Sequence, residues 1–297
     1  MPRVDAVLLG AAISLLAQPP PPVIREDVGL VLVSAIVTDH RGAVVNGLRP
    51  DNFTIVEDKV PQPILSFSTQ DAPCSVGVIL DLSGSMRDKL PAATAAVRAF
   101  FQTANPEDES FLLTVATHPE SVSGFSADFE ALQNSLLHAR AGGSTALIDT
   151  VYLGLDQMRS ARHPHKALLI VSDGIDNHSR YSSAELLRLV QETDVQIYTI
   201  GVPEDAAGRK PIELRERSNG LHFLRDLADN SGGLSFTVVT ADDVAAAAQK
   251  IGRAVRSEYV LGYRQSNKAD SGKWRNIQVK VRPSHLRVYA RRGYYSP

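Results

Sequence analysis

The chain has 297 residues, enough at roughly 100–200 residues per domain for one large domain or two ordinary ones. Hydrophobic residues make up 43% and charged residues 22%, a globular composition that excludes disorder over most of the length. A net charge of −2 and the lack of a Lys/Arg stripe exclude a nucleic-acid partner, and one cysteine, Cys74, excludes an internal disulfide and a Cys/His zinc framework.

In chain order, Ala6 to Leu16 is an apolar run after Arg3, too short to span a bilayer but the length of a signal h-region, with the small Ala17 suited to cleavage. Residues 1–17 therefore read as a signal peptide and the protein as secreted or periplasmic, with no membrane span in the mature chain. Pro19 to Pro22 mark a stiff extended spacer over residues 18–27. Residues 28–72 read as β: Val28 to Val37, then a turn at Asp39-His40-Arg41-Gly42, then Phe53 to Val56 and Ile64 to Phe67.

The pattern changes at Cys74, expected as a buried thiol. Val76 to Leu80 is a continuous apolar run of the kind a strand shows when both its faces are covered. Helices are expected at Lys89–Ala104, Phe129–Leu137, Leu147–Arg162, Ala184–Gln191, Leu221–Asn230 and Asp242–Val255. Strands are expected at Phe111–Ala116, Ala167–Val171, Val195–Val202 and Leu234–Val239. The charged stretch Glu204 to Asn219, with Gly208 and Pro211, reads as a long exposed loop. Alternating strands and helices over 73–256 imply a doubly wound, mostly parallel α/β sheet. Residues 257–297 return to β at Tyr259–Tyr263, Ile277–Val281 and Leu286–Ala290. Each β flank is too short to fold alone, so the two are expected to pair into one small β module.

The chemistry concentrates where apolar runs end. Val76–Leu80 runs into Asp81-Leu82-Ser83-Gly84-Ser85, placing three oxygen-bearing side chains at alternate positions, with Gly84 free to turn the backbone. In open parallel sheets ligands bind beyond the carboxyl ends of strands. A hard cation such as Mg²⁺ takes oxygen ligands and keeps several waters, more than one short loop supplies. Thr145, at the end of the glycine loop Gly142-Gly143-Ser144, and Asp173, after the run Leu168 to Val171, are the other candidates. Taken singly, each of these pieces also fits a turn or helix cap.

With that constellation, the chain from about Ser75 to Arg256 resembles a von Willebrand factor type A (VWA) domain, whose metal-ion-dependent adhesion site has the pattern Asp-x-Ser-x-Ser, then a distant Thr, then a distant Asp. Asp81, Ser83, Ser85, Thr145 and Asp173 fill it. The resemblance implies that Ser83, Ser85 and Thr145 bind the ion directly and that Asp81 and Asp173 act through water or orient the other ligands. One position would be left for an Asp or Glu carboxylate of a partner protein. It implies Mg²⁺, with Mn²⁺ or Ca²⁺ as alternatives. The flanks, including Gly42, Gly47-Leu48, Phe53, Tyr259 to Tyr263 and Arg292 to Tyr295, resemble bacterial secreted VWFA-related proteins.

The expected function is therefore cation-dependent, non-enzymatic protein recognition. The alternatives are an assembly scaffold with no metal-mediated ligand, and a metal-assisted hydrolase. Against the hydrolase, Gly-x-Ser-x-Gly and phosphate-loop motifs are missing and the eight His are scattered. His178 and Asp176, near Asp173, read as a solvated His and a turn residue.

Overall fold

A computed structural model describes residues 30–70, 72–137, 139–203, 211–238, 240–265 and 272–296. The expected signal peptide and proline spacer lie outside them. The chain opens with β1 (Leu30–Thr38), β2 (Phe53–Glu57), β3 (Val60–Gln62) and β4 (Ser66–Gln70). It enters the α/β part with β5 (Cys74–Asp81), α1 (Leu90–Phe101), β6 (Glu109–Val115), β7 (Pro119–Ser126), α2 (Phe129–Ser135) and α3 (Leu147–Gln157). There follow β8 (His165–Ser172), α4 (Ser183–Glu192), β9 (Gln196–Gly201), α5 (Pro211–Ser231), β10 (Ser235–Thr237) and α6 (Ala241–Val255). The last strands are β11 (Glu258–Arg264), β12 (Trp274–Val281), β13 (Arg287–Ala290) and β14 (Gly293–Tyr295).

The central sheet has the order β10-β9-β8-β5-β6-β7, parallel except for β7, which runs antiparallel on one edge. All eight residues of β5 are buried, as a strand covered on both faces requires. Its side chains alternate between two cores. Val76, Val78 and Leu80 pack with α1, α2 and α6, while Ile79 packs with α3, α4 and α5. The fold class is thus doubly wound α/β. β5 comes first in this sheet yet sits in its middle, between β6, reached through α1, and β8, reached later. The chain changes direction across the sheet between β5 and β8, which opens a crevice at their carboxyl ends.

Strands from both ends of the chain form two further sheets, β13-β1-β11-β4 and β14-β12-β2-β3. They enclose a core of Val33, Ile55, Tyr259, Leu261, Ile277 and Tyr294. Inside it the buried Glu57 carboxylate accepts from Tyr263 Oη (2.5 Å) and Tyr294 Oη (2.9 Å). Ile36 of β1 points the other way and joins the α/β core, seating this β module against the amino ends of the central strands.

One expectation is overturned. Pro211 to Asn219 is helix, the opening of the 21-residue α5, and not exposed loop. Proline is tolerated in a first helical turn, where its missing N–H has no intrahelical partner, so Pro211 marks a start and not a break. Residues 204–210 of that expected loop lie outside the described residues.

Candidate functional site

Asp81 is the last residue of β5 and is fully buried. Its Oδ1 accepts from the Ser83 backbone N–H (2.8 Å), a tight turn that starts a short 3₁₀ helix over Gly84–Lys89. Its Oδ2 accepts from Ser172 Oγ (2.5 Å) at the end of β8, and Ser172 Oγ in turn accepts from Gly174 N (2.9 Å). The carboxylate of one strand therefore fixes the end of the next. Burial pushes the Asp81 carboxyl up from 3.8 to about 6, with Ser172 and Ser83 pulling it down and the charge of Asp173 adding to the rise.

Ser83 is buried and Ser85 half-buried, and their hydroxyl oxygens lie 3.1 Å apart. The glycine loop is held against this turn by Gly142 N to Leu82 O (2.7 Å) and Gly84 N to Gly143 O (3.2 Å). Gly143 has φ +81°, and a Cβ there would meet Thr117 Oγ1 at 2.7 Å, so the loop needs glycine at this position. Thr145, also buried, is tied to the loop after β8. Its N–H donates to Asn177 Oδ1 (2.9 Å) and its carbonyl accepts from the N–H groups of Asn177 and His178 (3.0 Å each).

Asp173, buried, follows β8 directly. Its Oδ1 accepts from Ile175 N (3.2 Å), and its Oδ2 lies 3.1 Å from Lys89 Nζ. The Lys89 ammonium is itself largely withdrawn from solvent. Desolvation lowers its pKa, and the charge and hydrogen bond of Asp173 oppose that. Gly174, at φ +79°, lets the Asp173 loop touch α5: an added Cβ would meet Gly220 O at 2.3 Å.

The structure thus places Asp81, Ser83 and Ser85 in one turn, Asp173 beside Asp81's partner Ser172, and Thr145 on a loop bonded to both. Lys89, Ser172 and Asn177 were not among the expected site residues. Only tertiary contacts show their parts, although Ser172 and Asn177 flank Asp173 within five residues. Asp176, the base a hydrolase would need, is bonded to the start of α3 and to Ser179. It accepts from Ile148 N (2.9 Å) and Ser179 Oγ (2.5 Å), capping the start of α3.

The donor set suits a hard cation. Among the described residues there is no group of three or more His, Cys, Asp or Glu that could hold a metal, so any ion here would rely on hydroxyls beside two carboxylates. Adjacent ligands of an octahedral ion with bonds of about 2.0–2.1 Å stand about 2.9 Å apart. The 3.1 Å between Ser83 Oγ and Ser85 Oγ is close to that spacing.

Residues 76–175 match the von Willebrand factor type A domain family, and the α/β part has the fold of that domain. A von Willebrand factor type A protein from Catenulispora acidiphila is similar in structure (TM-score 0.53, 14% identity, 79% of this chain and 74% of that one). So is the vWF domain of the type V pili tip protein Mfa5 from Porphyromonas gingivalis (TM-score 0.50, 13% identity, 63% and 96%). The pilus adhesin SpaC from Lactobacillus rhamnosus GG is similar at TM-score 0.52 and 8% identity, over 85% of this chain and 49% of that one. These likenesses concern the fold. No curated protein matches the sequence.

Proposed function

We propose that the protein is a non-enzymatic recognition module that binds a partner's Asp or Glu carboxylate through a divalent cation, most simply Mg²⁺. Ser83, Ser85 and Thr145 would hold the ion, and Asp81 and Asp173 would orient its surroundings. The observation that carries this reading is the Ser83–Ser85 hydroxyl pair, 3.1 Å apart beside the buried Asp81, at the crevice between β5 and β8. With hydroxyls as direct ligands, little negative charge reaches the ion, which would supply a strong electrophile toward an incoming carboxylate. Lys89 adds one more positive charge beside that position. The expected signal segment places this activity outside the cytoplasm, and among the described residues no helix is long and apolar enough to cross a membrane. The fold is shared with a pilus adhesin, which is compatible with such a role.

The test is calorimetric titration of the protein with Mg²⁺ and Mn²⁺, with and without acetate as carboxylate mimic, beside Asp81→Ala and Asp173→Ala. One-site binding in wild type, strengthened by acetate and lost in both folded variants, supports the reading. No heat in either condition overturns it. The Lys89–Asp173 ion pair favours a second reading, a scaffold whose site is closed by its own ammonium. In that case only Lys89→Met would bind the cation.

A further inference from the structure

At the opposite end of the molecule, β1 is paired unevenly. β11 covers it on one side from Leu30 to Ala35, but β13 covers the other side only from Ala35 to Thr38. At Arg291 the chain leaves this sheet for β14, and beyond Ala35 no described strand continues the β13 column. Successive residues of a strand aim their backbone groups to alternate sides. The Val37 carbonyl accepts from Val45 N (2.8 Å), at a bridge on the side away from β13. Two-residue alternation therefore aims the N–H groups of Ser34 and Leu32 and the carbonyl of Leu32 into the vacated column.

A cleft of about 580 Å³ lies along this edge, within the roughly 300–1,000 Å³ typical of ligand clefts. Leu30, Leu32 and Ser34 form one wall, and the amino ends of β8 and β9 the other. On the face where Ile36 plugs fully into the α/β core, Leu32 and Leu30 remain 53% and 44% exposed. Around the cleft Arg291 is matched by Asp194 (2.6 Å) and His165 by Glu258 (3.1 Å), while the Lys166 ammonium donates to the Met158 carbonyl (2.9 Å).

A ladder that no described strand continues and apolar side chains at alternate positions fit one kind of ligand. We infer that Leu30–Ser34 is a docking edge for an extended segment of a partner protein, about five residues long. That segment would add a strand in line with β13 and place apolar side chains against Leu30 and Leu32. This surface lies across the sheet from Asp81 and does not depend on a cation.

The experiment is affinity selection of the full chain against a random seven-residue peptide library, followed by binding of the most enriched synthetic peptide. Enriched sequences alternate apolar and polar residues, and the peptide slows amide exchange at Leu32 and Ser34. Leu32→Pro removes one outward N–H that no described residue uses, and it weakens binding more than tenfold at unchanged melting temperature. N-methylation of alternate peptide residues abolishes binding on one set of positions and spares it on the other, which decides the matter should Leu32→Pro unfold. The inference is overturned if no sequence is enriched or if binding ignores both changes. It is equally overturned if the Leu32 amide is already protected without peptide, so that this chain covers its own edge, or if the edge instead pairs two copies in a dimer that Leu32→Pro dissolves.

Discussion

At the carboxyl ends of β5 and β8 lie two buried carboxylates, Asp81 and Asp173, and the Lys89 ammonium bonds Asp173. At the amino ends of the same sheet each buried acid has its own partner. Asp108 pairs with Arg256, which also donates to Cys74 Sγ (3.4 Å) and Ala72 O (3.3 Å). Glu258 pairs with His165 (3.1 Å) and accepts from Tyr198 Oη (3.3 Å). One end fastens the start of β5 to the end of α6 and the start of β8 to β11. The other end leaves like charges close together and two serine hydroxyls, of Ser83 and Ser85, facing each other. Fold stability and the proposed ligand chemistry are thus assigned to opposite ends of the strands, so each end can be perturbed alone.

The largest effect is expected at the fastening end. Asp108→Ala leaves the mostly buried Arg256 guanidinium uncompensated and also removes acceptors for Cys74 N (2.9 Å) and Asn105 N (2.8 Å). A loss of about 3–5 kcal/mol follows for such a broken pair. Urea denaturation reads it, and the proposed cation binding, measured under native conditions, should stay at the wild-type value. A cost below about 1 kcal/mol would mean that this end does not fasten the fold.

Asp81→Asn should act in the opposite direction. Burial raises the Asp81 carboxyl to about 6, so at pH 7.5 the ionised group opposes folding of the cation-free protein. The neutral amide should add about 1–3 kcal/mol to the cation-free protein while abolishing the proposed cation binding. If Asp81→Asn instead destabilises, the carboxylate is a structural group and the contrast between the ends fails.

pH separates the ends more gently. Because the Asp81 pKa is raised on folding, stability falls as pH climbs from 3.8 through about 6. For His165, desolvation pulls the pKa down, but the hydrogen bond and charge of Glu258 overcome it and leave the pKa raised above 6.5. That contribution is complete below 6.5 and is lost as pH rises through the folded value. Urea midpoints across pH 4–8 should therefore show two declines, the lower one missing in Asp81→Asn and the upper one in His165→Gln.

The buried strands were legible because β5, β8 and β9 are apolar on both faces and leave no other reading. β7 was not, since an edge strand such as Ser121-Val122-Ser123-Gly124 carries polar residues that mimic a loop. β3 hid behind Pro61, and the residues before it, Asp58 and Lys59, turn at positive φ without glycine. At the site, the strand-end positions of Asp81 and Asp173 followed from the apolar runs preceding them. The bond from Thr145 to Asn177, 32 residues on, and the ion pair from Lys89 to Asp173, 84 residues on, have no local signature. The open edge of β1 was equally hidden, because it depends on where β13 turns away.

Ser85→Ala is the finest of these changes. Ser85 is half-buried, and its hydroxyl meets the Ser83 hydroxyl at 3.1 Å without bridging elements of the fold. Its removal leaves no buried charge and no cavity larger than one atom, so stability should move by no more than about 0.5 kcal/mol. If the hydroxyl pair holds a cation, affinity for Mn²⁺ should nevertheless fall by at least about tenfold, because one of few protein ligands is gone. Calorimetry and urea denaturation on the same sample read both numbers. A variant that loses stability but keeps affinity would make Ser85 a turn former, and the hydroxyl pair would belong to the fastening of the fold and not to its chemistry.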